Sequence, residues 1–136
     1  MSKKIKVLII IIAVIIVLGI AAIPLFKWCN NQEYAIVSKN FGVSIGKDAD
    51  LIYFDEEDAY LHAAYGVDED AYKTLKSEIK AAGYGEMNFD NTNIGYEWIP
   101  SGKVKIMYRL EKSGESTKDI YITEPNNGFV ELYFVK

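Results

Sequence analysis

The sequence has little with which to staple, chelate or interrupt itself. Its single cysteine, Cys29, excludes an internal disulfide framework, so the fold must be held by packing. Its single histidine, His62, excludes a His-rich metal site. Three prolines, Pro24, Pro100 and Pro125, leave long stretches free for helix or strand. Acidic residues are missing from the start of the chain, and all 19 lie at Glu33 or beyond. Four of the 15 basic residues precede Asn30, which leaves 11 against 19 acids and a formal charge of −8 on the remainder. A surface of that sign argues against nucleic acid as a partner, because phosphate binding needs basic patches, and it leaves cations or basic proteins open as partners.

The first feature present in abundance is aliphatic. Residues 7–26 form a run of 20 without a charge. As a helix at 1.5 Å per residue, such a run matches the ~30 Å hydrocarbon core of a bilayer. Lys3, Lys4 and Lys6 precede the run, whereas Lys27 alone follows closely, with Trp28 and Cys29 beside it. Lysine bias predicts a signal-anchor helix over 7–28, a cytoplasmic tail over 1–6, and everything beyond on the outer side of the cell membrane. Lys27, Trp28 and Cys29 are then expected at the membrane interface, with Cys29 offering an intermolecular disulfide as the route to a homodimer. A cleaved signal peptide, releasing a secreted protein, is the competing reading, since Gly19, Ala21 and Ala22 supply small residues near a potential cut.

Residues 18–24 resemble the distal end of a type IV pilin helix, yet the run lacks the Gly-Phe processing site and early glutamate of that family. No helical pattern is seen past Trp28, as a pilin stalk would require. A lipoprotein signal is also a poor match, because Phe26, Lys27 and Trp28 stand where small residues should precede the cysteine.

Residues 29–40 read as a polar linker with a short edge strand at 34–37, and 41–136 as the globular domain. Residues 51–54 and 59–67 predict a hairpin turning at 55–58, since the second run alternates Leu61, Ala63, Tyr65 and Val67 with Tyr60, His62 and Ala64. Asp68 is an N-cap for a helix running to Ala82 and stopped by Gly83, with Tyr72, Leu75, Ile79 and Ala82 on one face. Four strand-like runs follow at 94–99, 103–112, 118–123 and 128–135, and Asn127-Gly128 is a hairpin signal. The expected fold is α+β, of order ββαββββ, with one helix packed on an antiparallel sheet.

The alternation assigns Val104, Ile106, Tyr108 and Leu110 to the core. The opposite face then carries Met107, Arg109, Tyr121, Phe129, Glu131 and Tyr133, joined by Tyr60 and His62 if the hairpin shares the sheet. Exposed aromatics around an arginine have the composition of a protein-binding surface, so these residues are the candidate partner site. Acidic clusters at 48–50, 55–58 and 68–70 lack the glycine and terminal glutamate of a calcium loop and read as solvated turns and a helix cap. No serine lies in a Gly-x-Ser-x-Gly context to work with His62, and Gly83-Tyr84-Gly85 follows a helix rather than opening one. The expectation is therefore a membrane-anchored, extracytoplasmic binding or accessory module acting through protein contacts. No catalysis, cofactor or metal is expected. A small cell-envelope hydrolase is the alternative.

Overall fold

A computed structural model describes residues 2–46, 48–87 and 94–136, with the side chains of 21–31 outside the description. Its elements in chain order are α1 (Lys3–Phe41), β1 (Asp50–Glu57), β2 (Tyr60–Asp68), α2 (Glu69–Ala81), β3 (Gly85–Met87), β4 (Val104–Leu110), β5 (Lys118–Thr123) and β6 (Phe129–Val135). The class is α+β, with a six-stranded antiparallel sheet of order β1-β2-β6-β5-β4-β3. The residues group into two units, Met1–Glu33 and Tyr34–Lys136.

The first unit is helical. Its large apolar side chains from Ile5 to Ile20 are 48% to 65% exposed, and they point in every direction around the axis. Among the described residues no helix is long and apolar enough to cross a membrane.

In the second unit, residues 34–41 are the last turns of α1 and correct the expected linker and edge strand. Tyr34, Val37 and Phe41 recur at spacings of three and four, the period of a helix face. Val37 and Phe41 are buried in the main core, and the Phe41 ring meets Phe134 edge-on at 5.0 Å. Helix therefore does continue past Trp28. The other two departures from a pilin, the absent processing site and glutamate, stand.

β1 and β2 form the expected hairpin, but the strands extend to Glu57 and restart at Tyr60, so the turn is Asp58-Ala59 rather than 55–58. Carboxylates are tolerated there because β1 is an edge strand whose side chains reach water. Asp68 caps α2 as expected, its carboxylate accepting the Ala71 N–H at 2.7 Å. The helix ends at Ala81, where Gly83 N–H donates to the Lys80 carbonyl and Tyr84 N–H to that of Ile79, with Gly83 at φ +97°. That pair of bonds is a Schellman motif, which needs a residue comfortable in the left-handed region.

α2 carries the chain from β2 to the far edge of the sheet, after which β4, β5 and β6 return until β6 pairs with β2. Asn127 and Gly128, at φ +52° and +80°, make the tight turn between β5 and β6. Asn126 and Phe129 exchange both backbone bonds across it, at 2.8 and 3.0 Å.

Leu75 and Ile79 of α2 lie with Leu61, Ala63, Tyr65, Val67, Ile120, Ile122, Val130, Leu132 and Phe134 in the main core, against which Tyr72 and Ala82 also pack. Ile106, Tyr108 and Leu110 join this side of the sheet, but Val104 does not. A bulge between Val104 and Ile106 adds one residue to β4, which turns Val104 to the opposite face and corrects its expected placement. The third strand is also corrected. β3 is the short segment Gly85–Met87, while 94–99 forms no strand and packs on the sheet instead.

Candidate functional site

The face of the sheet opposite α2 is where the sequence-predicted residues meet. Strand register is what aligns them. His62 is paired with Val135 and Ala64 with Tyr133, Tyr133 with Tyr121, Tyr121 with Met107, and Met107 with Met87, so one pleat of side chains crosses the sheet. Tyr60, Arg109, Phe129 and Glu131 fall on the same pleat in neighbouring rows.

The expectation that this whole face meets solvent is corrected. Met107, Tyr121 and Tyr133 retain only 8%, 6% and 5% of their exposure. Ile94, Tyr96, Trp98 and Ile99 lie over them and, with Ala64, Val104 and Val135, complete a second apolar cluster. A twisted sheet with large apolar groups on both faces must be covered twice. α2 and the end of α1 do this on one side, and 94–99 on the other.

Trp98 is the centre of the cover. Its ring stacks on Tyr53 at 4.8 Å and on His62 at 5.2 Å, and meets Tyr133 at 5.7 Å. Its indole N–H is buried without a hydrogen-bond partner among the described residues. His62 also lies 4.6 Å from the Tyr60 ring and 5.3 Å from Tyr96. The result is a packed row of rings, Tyr60, His62, Trp98 and Tyr53, running to the β1 edge of the sheet. Tyr60 and His62 are half-buried, whereas Tyr53 is exposed.

Carboxylates border this row. Tyr60 donates its hydroxyl to Asp55 Oδ2 at 3.0 Å, which raises the phenol pKa chiefly through that hydrogen bond. Burial among rings lowers the His62 pKa below its ordinary value, with the Asp55 charge opposing weakly, so the imidazole is neutral at pH 7. A neutral ring stacks without the cost of desolvating a charge.

Arg109 is differently engaged. Its guanidinium donates through Nε and a terminal nitrogen to both oxygens of the buried Asp119, at 2.8 and 3.1 Å, and approaches Glu111 at 3.9 Å. Cross-strand pairing of residues 109 and 119 creates this fork. Arg109 thus neutralises a buried carboxylate and presents one side of its guanidinium to solvent. Tyr133 donates to Glu131 Oε2 at 2.6 Å, and burial together with that bond raises its pKa. Phe129 is 53% exposed beside an open cleft of about 380 Å³ that Lys103, Thr123, Asn126 and Glu131 help to line.

The chain matches no family model, no curated protein and no solved structure.

Among the described residues no cluster of His, Cys, Asp and Glu side chains is arranged to hold a metal ion. Lys27, Trp28 and Cys29, assigned from the sequence to the membrane interface, have side chains outside the described residues. Sequence reasoning missed Tyr53, Tyr96 and Trp98. The alternation of Ile94, Tyr96 and Trp98 was visible, but the same period serves a segment that pairs and one that only packs.

Proposed function

We propose that the chain is a membrane-anchored extracytoplasmic binding module that docks a protein partner on the aromatic and acidic end of its sheet, around Tyr53, Tyr60 and His62. The single observation that carries this reading is the ring row itself. Tyr53, His62, Trp98 and Tyr60 are held in mutual contact on a β-scaffold, with partly open faces and carboxylates at the border. Rigid aromatic groups offer contact area at low entropic cost, and binding surfaces are enriched in them. Phe129 is exposed on the same face farther along the sheet, where β6 pairs with the end of β2 at Asp68.

Anchoring is the second half of the proposal. It rests on the uncharged run of 20 residues at 7–26 and on the three lysines before it against the one close behind. The exposed, all-round apolar surface of the first unit agrees with it, since such a helix needs an apolar surrounding. With the N-terminal lysines in the cytoplasm, the acidic unit faces the outside of the cell membrane.

A photo-crosslinking phenylalanine analogue placed at Tyr60 or Phe129 in native membranes tests the docking face, with Lys73 on the outer side of α2 as control. The expected result is one shared adduct from the two face positions and none from Lys73. No adduct, or identical adducts from all three, refutes the face. Protease added to right-side-out membrane vesicles should digest the acidic unit and leave a membrane-retained N-terminal fragment; full protection refutes the topology.

A further inference from the structure

The docking face ends at β1, and β1 is an open edge. Its inner side pairs with β2 along the strand, and no strand among the described residues lies on its outer side. An edge strand presents a row of unpaired N–H and C=O groups, and proteins usually blunt such edges by shortening, covering or charging them. The opposite edge, β3, is blunted by length, with three residues. β1 has eight, and it exposes three consecutive apolar side chains, Leu51 at 39%, Ile52 at 48% and Tyr53 at 37%.

Two devices restrict what can pair there. A bulge between Leu51 and Tyr53 breaks the regular ladder at the start of the strand, which leaves 53–57 as the regular part. Six carboxylates, Asp48, Asp50, Asp55, Glu56, Glu57 and Asp58, lie within 48–58, and that span contains no basic residue. A second copy of this chain would set like charges against like. A segment carrying lysine or arginine meets the complementary charge, which favours its encounter and fixes its register.

We infer that β1 accepts an extended, lysine- or arginine-bearing segment of a protein partner as an added antiparallel or parallel strand beside 53–57. This inference rests on the docking face proposed above and names the chemistry of its occupant. Tyr53, Asp55 and Glu57 share the ring-bearing face of the sheet, because they oppose Ala64, His62 and Tyr60 in β2. Every second residue of the incoming strand therefore projects beside Asp55 and Glu57, where a cation finds carboxylates. The stacked rings of Tyr53 and Trp98, 4.8 Å apart and 22° from parallel, lie next in the same row and present a π surface to it. Main-chain bonds supply affinity, and the alternate side chains supply selectivity.

The test uses the full chain in detergent micelles and three synthetic peptides. One alternates lysine with valine, the second has the same sequence with N-methylated backbone amides, and the third replaces lysine by glutamate. The Lys–Val peptide should slow hydrogen exchange at β1 amides. It should bind at least about tenfold more tightly than either counterpart, as expected when several exposed ion pairs of modest individual strength act with a strand ladder. Asp55→Lys combined with Glu57→Lys, checked for unchanged circular dichroism, should invert the preference between the lysine and glutamate peptides.

Equal binding of the methylated and unmethylated Lys–Val peptides would reduce the effect to charge adsorption and overturn strand addition. Protection confined to β6, absence of binding, or β1 protection that rises with protein concentration without peptide would overturn it as well. Crosslinks from Tyr60 and Phe129 that persist alongside such a failure leave the docking face standing and remove only the added strand. Loss of both removes both.

Discussion

Replacing Trp98 by alanine probes the feature on which the second face depends. Removing a fully buried Phe or Trp costs ~3–5 kcal/mol. Trp98 is half-buried, which lowers the expectation, but it holds ring contacts to Tyr53, His62 and Tyr133, and such pairs are worth ~0.5–1.5 kcal/mol beyond their area. Its unpartnered indole N–H works in the other direction, because deleting an unsatisfied buried donor returns ~1–3 kcal/mol. The balance is a loss of about 2–3 kcal/mol, or about 10–20 °C in Tm for a domain of this size. Thermal unfolding followed by near-ultraviolet circular dichroism measures it, since the tyrosine signal reports on the same cluster. Trp98→Phe keeps a ring in the stack and drops the N–H, so it should cost less than about 1 kcal/mol. A Trp98→Ala loss below about 0.5 kcal/mol would mean that 94–99 does not seal this face, and that Met107, Tyr121 and Tyr133 are open to a partner after all.

Three further substitutions or titrations follow from particular contacts. The His62 pKa lies below its ordinary 6.5 in the fold because desolvation outweighs the facing Asp55 charge, and the other groups packed on the ring are Tyr60, Tyr96 and Trp98. The unfolded chain therefore takes up the proton first, and the associated stability is whole above about pH 6.5. It is lost as pH falls through the lower folded value, a dependence that urea unfolding at stepped pH should show and that His62→Phe should lack. Asp68→Ala removes the cap on Ala71 N–H and should cost about 1 kcal/mol in chemical denaturation. Arg109→Ala strands the buried Asp119 carboxylate; because Arg109 is itself about a third exposed, the expected cost is about 1–2 kcal/mol rather than the ~3–5 of a fully buried pair. Adding Asp119→Asn should recover part of that loss, and strict additivity in the double variant would refute the pairing as its cause.

What was legible in the sequence was mostly local. Asp68, Gly83 and Asn127-Gly128 act through the backbone within a few residues, so their capping and turn roles could be read without knowing the fold. Face assignment was legible wherever the period of two was unbroken, which is why Tyr60, His62, Met107, Tyr121, Phe129 and Tyr133 do share one side of the sheet. The failures share a physical origin in tertiary choice. The polar Asn30, Asn31 and Gln32 read as a linker, although Tyr34, Val37 and Phe41 already carried a helical spacing. The bulge before Ile106 reverses Val104 with no turn residue to announce it. β3, Gly-Glu-Met, has no apolar pattern at all and is a strand because β4 offers it an edge. Exposure of the candidate site was misjudged for the same reason: no periodicity says that 94–99 will lie on the sheet rather than within it.

The strand order also sets a schedule for assembly. β6 sits between β2 and β5, bonded to both, so without it the sheet is two separate pieces, β1-β2 and β5-β4-β3. Its pairing with β2 joins His62 to Val135 across most of the second unit's length. Neither piece can bury both faces before that distant closure, and long-range closure is the slow kind. During synthesis β6 is therefore the last strand of this sheet to be made, and until it pairs the two half-sheets keep open edges that invite wrong partners.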